Sequence, residues 1–167
     1  MPFLFKVYNA PPEPQIFYFN SYGSGNFNQP QRMVDNDDNT FGSGGSYLSE
    51  TQILNGNTCD GTNLGTITKV EMRVLEYSDS SYLGYFQMRP LFDGSNYGSY
   101  IDILQKFQPK HWTSWYDITN DTNAPGSWTW TDVQNLDVRF YSAPSEYWPY
   151  PNLASVYTVQ IRVTYTN

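Results

Sequence analysis

Residues 33–46, "MVDNDDNTFGSGGS", gather Asp35, Asp37, Asp38 and Thr40 around a glycine-rich turn that no core would accommodate. Carboxylate and hydroxyl oxygens so spaced can ligate a hard cation such as calcium, and the same side chains can bond their own backbone as Asx turns. An EF-hand is excluded, because the spacing from Asp35 puts Ser46 where the bidentate Glu should stand. A second group is aromatic. "SEYWPYP" offers Tyr147, Trp148 and Tyr150 in a proline-stiffened loop, and Trp112 stands in "KHWTSW". Exposed rings of this kind stack on sugars or anchor protein interfaces, since they bury a large area at low entropic cost. Trp115, Trp128 and Trp130 are read instead as plugs of the core and its ends, where tryptophan usually sits.

Catalytic chemistry finds little support. Cys59 is the single cysteine and His111 the single histidine, far apart and without a triad signature, so the thiol reads as inert. Hydrolysis of glycosides would need two facing carboxylates. Glu71 shares the wet face of a strand with Arg73 as an ordinary surface pair, Glu76 lies on the same strand, and nothing joins Asp102 to Asp117. HExxH, GxSxG, Walker and dinucleotide fingerprints are missing. The expectation is a protein that is not an enzyme and has no cofactor beyond a possible calcium ion.

The composition agrees with a binding or assembly role. Tyr, Phe and Trp number 15, 10 and 5, or 18% of residues, whereas charged side chains reach only 15%, a profile that suits a β-rich fold with a neutral polar surface. Sixteen acidic residues against nine basic ones leave a net charge of -7, which disfavours nucleic acid and anionic membranes as partners. No apolar run is long enough to insert in a membrane, and "MPFLFKVYNAPPEP" lacks the features of a signal peptide. A lone cysteine excludes an intrachain disulfide, so packing must hold the fold.

The elements that must position these groups are strands. "TITKVEMRVLEY" alternates Val70, Met72 and Val74 with Glu71 and Arg73; "YFQMRPLF", "NLDVRFY" and "YTVQIRVTYT" alternate in the same way. Leu136, Val138 and Phe140 point inward in the third, and Tyr157, Val159, Ile161, Val163 and Tyr165 in the fourth. Pro90 asks for an edge or a bulge. Shorter candidates are "FLFKVY", "QIFYF", "SYIDIL" and "SWYDIT", and "TWTDVQNL" predicts a single helical turn capped by Thr131 or Asp132. About eight strands with polar turns between them predict an all-β, antiparallel, jelly-roll-like β-sandwich over residues 31–167.

Residues 1–30 are set apart by "NAPPEPQ" and "NSYGSGNFNQPQ" and read as an N-terminal arm or edge extension. Its Phe3, Phe5, Phe17 and Phe19 need covering. Either they fill the open end of their own sandwich, or the arm docks on a neighbouring copy and drives assembly.

The tracts "GTNLGTITKVEMRV", "WYDITNDTNAPGSWTWTDVQNLDVRF" and "VYTVQIRVTYTN" resemble β-sandwich proteins of phage and viral virions and of environmental extracellular proteins, over about residues 61–167. That resemblance implies a structural subunit, such as a capsid decoration, fibre, tail or surface-filament protein, that forms homo-oligomers or joins other structural subunits on a virion or extracellular surface. The 33–46 loop is also similar to the calcium loop of galactose-binding-like sandwiches, which implies Asp35, Asp38 and Thr40 as metal ligands. Here Asn36 replaces the family's Gly, and Gln160 is the nearest counterpart of its late-strand Glu. This second resemblance implies, as the alternative function, a carbohydrate-binding or adhesion module that takes glycans.

Overall fold

A computed structural model describes residues 12–44, 49–78, 85–103, 108–143 and 154–167. Two antiparallel sheets face each other, as the alternating patterns predict. The first is built on β5 (Thr66–Ser78) and β12 (Ala154–Thr166), each of 13 residues. Outside β12 lie β1 (Gln15–Tyr18) and β3 (Gly42–Gly44), and outside β5 lie β9 (Gln108–Trp112) and β10 (Tyr116–Asp117). The second sheet runs β2 (Tyr22–Gly25), β4 (Glu50–Leu54), β11 (Asp137–Ala143), β6 (Tyr85–Phe92), with β7 (Asn96–Tyr97) and β8 (Ile101–Asp102) sharing the outer side of β6. A 3-10 turn spans Pro30–Met33 and a five-residue helix, α1, spans Trp130–Gln134. No described helix is long and apolar enough to cross a membrane.

The core lies between the inward parities of both sheets. Val70, Met72 and Val74 of β5 meet Val159, Ile161 and Val163 of β12, all fully buried, and Leu54, Phe86, Met88, Val138 and Phe140 close over them from the second sheet. Phe27, Phe86 and Phe140 pack with ring centroids 6.0–6.4 Å apart.

Several local details depart from expectation. The cap of α1 is Thr129, whose hydroxyl accepts from the Asp132 amide while the Asp132 carboxylate accepts from the Thr129 amide, a reciprocal capping box. Asp132 is therefore the third residue of the helix, and Thr131 is not the cap. Pro90 occupies an interior strand, opposite Val138. Its carbonyl accepts from Gly98 on the β7 side, so its missing N–H faces the break between β7 and β8, where no ladder bond is lost. In β12 a bulge between Val156 and Thr158 interrupts the alternation, and Thr158 and Gln160 are buried although they occupy the polar parity.

The segment read as an arm contributes edges to both sheets from residue 15 onward. β1 pairs with β12 and β2 with β4. Phe19 is 2% exposed in the core, and Phe17 packs edge-on to Trp130 at 6.3 Å. Phe3 and Phe5 lie outside the described residues. Phe19→Ala is expected to destabilise the isolated protein by about 3–5 kcal/mol, measured as the shift in urea unfolding. A loss below about 1 kcal/mol would show that Phe19 does not serve its own core.

Candidate functional site

The outer face of the first sheet is a completed network. Glu71 on β5 lies opposite Arg162 on β12 and accepts from its Nε at 2.7 Å, and from Lys69 Nζ at 2.7 Å. These bonds, that of Arg162 foremost, hold the Glu71 carboxyl below the usual range although burial opposes them. Arg73 lies opposite Gln160 and donates to its Oε1 at 2.8 Å. Glu71 and Arg73 therefore share a face, as expected, but each pairs across to β12 and not with the other. Trp112 and Trp115 fold over this network, with the Arg73 guanidinium 4.2 Å from one ring and 4.3 Å from the other. Arg162 lies 4.3 Å from the Trp115 ring, so that indole is shared by two guanidinium groups. Trp115 is thus on the outside of the sandwich, whereas Trp130 is buried and Trp128 packs edge-on to Phe92 at the core margin, as expected of plugs.

The outer face of the second sheet is built differently. Arg89 on β6 and Arg139 on β11 are direct cross-strand partners. The Arg89 guanidinium lies 3.8 Å from the Tyr97 ring and 4.4 Å from that of Tyr100, and Arg139 lies 5.4 Å from Tyr97. Tyr141 packs against Tyr100 at 6.4 Å, while Gln87 donates to Asp102 at 2.7 Å beside them. Among the described residues neither arginine has a carboxylate within ion-pair distance, and Arg89 Nε is sealed from solvent with no acceptor. Tyr85 and Tyr100 are 65% and 52% exposed at the margin. Sequence reasoning missed this cluster. The parity of "QMRP" and "DVRF" places both arginines outward, yet only the register of β6 on β11 brings them together.

The aspartate loop is internally bonded. Asp35 Oδ1 accepts from the Asp37 amide at 3.0 Å and its Oδ2 from the Thr40 hydroxyl at 2.6 Å; Asp37 accepts from the amide and side chain of Asn39 at 2.9 Å each. These are the Asx turns anticipated for the segment. The Asn39 bonds hold the Asp37 carboxyl below its ordinary range. Asp35 and Thr40 are brought into contact, whereas the Asp38 carboxylate bonds neither; its carbonyl accepts from Lys110 of β9. Among the described residues no group of three or more His, Cys, Asp or Glu side chains is placed to hold a metal ion.

Further polar features lie in the interior and at one end of the second sheet. Glu76 continues the inward parity of β5, is 1% exposed, and has no hydrogen bond to either carboxyl oxygen. Burial pushes its pKa up to about 8. His111 Nδ1 lies 2.9 Å from the Pro109 carbonyl, and its Nε2 lies 3.4 Å from Glu76 Oε1. In the neutral ring Nδ1–H donates to Pro109, which leaves the Nε2 lone pair facing a protonated Glu76. At one end of the second sheet, a cleft of about 480 Å³ is lined by Asn55, Asp93, Gln134, Asn135 and Asp137. Burial raises the Asp137 carboxyl, partly offset by a bond from the Gly56 amide, and Asn55 Oδ1 is shielded without a partner. Cys59 is 4% exposed and its thiol, raised by burial, points at the Trp130 carbonyl. Tyr147, Trp148 and Tyr150 lie outside the described residues.

Comparison with known proteins finds no family model that matches the sequence and no match among curated proteins.

Glu76 sets a pH dependence. Its folded-state value of about 8 exceeds the ordinary 4.5, so unfolding releases a proton between those limits. Stability therefore falls as pH rises through this window, by at most about 1.4 kcal/mol per pH unit. Melting curves from pH 5 to 8 are expected to show this decline in the wild type and a flatter profile in Glu76→Gln; identical profiles would refute it.

Proposed function

We propose that this chain is a non-catalytic structural subunit that works by assembling, with copies of itself or with other structural subunits, on a virion or extracellular surface as a decoration, fibre, tail or surface-filament protein. The observation that carries the reading is the outer face of β6 and β11. Tyr97 and Tyr100 lie against Arg89 and Arg139, Tyr141 packs on Tyr100, and Tyr85 stands exposed further along β6; tyrosine and arginine are the residues enriched where protein interfaces concentrate their binding energy. Of the carboxylates on the two outer faces, Glu71 is engaged with Arg162 and Lys69, Asp102 with Gln87, and Asp117 with the Thr119 amide. Size-exclusion chromatography with light scattering tests the reading. A defined multimer is expected, and a monomer up to about 100 μM, a concentration at which micromolar contacts are populated, would overturn assembly with copies of itself.

A second reading, a carbohydrate-binding module, is favoured by the cleft at Asn55, Asp93, Gln134, Asn135 and Asp137. Amides and carboxylates there can accept from and donate to the vicinal hydroxyls of a neutral sugar. Calcium in the 33–46 loop would be a support in this reading. An NMR titration with neutral oligosaccharides, with and without calcium, is expected to move the Asn55 and Gln134 side-chain signals with a Kd on the order of 1 mM. Asp137→Ala should abolish that response, and unmoved signals in the wild type would sink the reading.

A further inference from the structure

The two arginines of the second sheet are held in place yet unused. Stacking against Tyr97 and Tyr100 immobilises the Arg89 guanidinium without consuming its N–H donors, and Arg139 stands beside it across the ladder. The contrast with the first sheet is direct: Arg162 donates to Glu71 and Arg73 to Gln160. Among the described residues no side-chain or backbone acceptor takes a hydrogen bond from the terminal nitrogens of either guanidinium, and such terminal N–H groups are matched by carboxylates, which accept charge-assisted bonds from them.

The same chain displays the complementary group. Asp35, Asp37 and Asp38 lie exposed within four positions, and Asp38 contributes no carboxylate bond to its own loop. The Asx turns and the Lys110 contact to the Asp38 carbonyl fix the loop's shape, so little ordering would remain on docking. The loop leads into β3 and touches β9, both of the first sheet, whereas the arginines stand on the outer face of the second. One copy cannot close this contact on itself.

The geometry points to the Arg89–Arg139 face as the docking site for the Asp35–Asp38 loop of a second copy of this chain. This rests on the assembly reading and adds its partner and surface. Because face and loop are different patches, the contact is heterologous, and repetition yields a ring or an open filament.

Sedimentation velocity on the full chain, in about 20 mM and about 500 mM salt, tests it with two variants. Arg89→Glu/Arg139→Glu reverses the face and Asp38→Lys reverses the loop; Asp38 is exposed and its carboxylate makes no bond within the loop, so this variant leaves the Asx turns intact and keeps the test valid if the face variant misfolds. The wild type is expected to associate at low salt and to weaken about tenfold or more at high salt. Each variant alone should be monomeric. An equimolar mixture should associate again, because the first retains a native loop and the second a native face. A multimer indifferent to both variants, or a mixture that stays monomeric, overturns this docking and leaves assembly standing. A wild type monomeric at both salt concentrations overturns self-assembly together with it.

Discussion

Twelve registered residue pairs join β5 to β12, and this single ladder determines what both faces of the first sheet present. On the inner side it aligns Val70 with Val163, Met72 with Ile161 and Val74 with Val159, which gives the core its apolar floor. On the outer side the same register sets Glu71 against Arg162 and Arg73 against Gln160. Each bonded pair is then a cross-strand neighbour, the arrangement in which side-chain contacts in a sheet are strongest. A slip of one residue would send the valines to solvent and the charges into the core, so the two sets reinforce one register.

The ladder also has a cost. Inward parity continues along β5 past Val74 and delivers Glu76 to the interior, opposite Val156. The bulge in β12 keeps Val156 and Ala154 facing the core, so the carboxyl is enclosed by apolar groups and remains protonated near neutral pH. His111, brought opposite Glu76 by β9, is its nearest polar neighbour. The interior thus tolerates Glu76 because a neutral carboxyl is far less costly to bury than an ion.

What was legible in the sequence follows from range. Alternation is local, so β5, β6, β11 and β12 and their inward residues could be read from the chain directly, as could the Asx character of the 35–40 turn. Pairing is not local. The partners of Glu71 and Arg73 lie 91 and 87 residues away, and no pattern within a strand indicates them. Trp115 and Trp130 have similar local settings, between polar residues near a turn. Yet one lies over the Arg73 and Arg162 guanidinium groups and the other enters the core, because α1 turns Trp130 inward through a cap that depends on Thr129. The proline-rich composition around residue 11 left an arm and an edge extension both open, and the four-residue strand that follows it is an edge of the first sheet. Its outer position is where a short strand preceded by prolines can pair on one side alone.

The two outer faces together separate what stabilises this fold from what it leaves available. On the first sheet each guanidinium has an acceptor across the ladder, and the tryptophans cover the result. On the second, Arg89 and Arg139 are like charges directly opposite, an arrangement that costs about 0.2–1 kcal/mol in a sheet. The tyrosine rings offset that repulsion only in part, because a cation over a ring keeps its N–H edges unsatisfied. A glutamate at either position would make a better isolated sandwich, as Glu71 demonstrates on the opposite sheet. The arginine pair is thus a local expense of the monomer that a carboxylate supplied from outside would reverse.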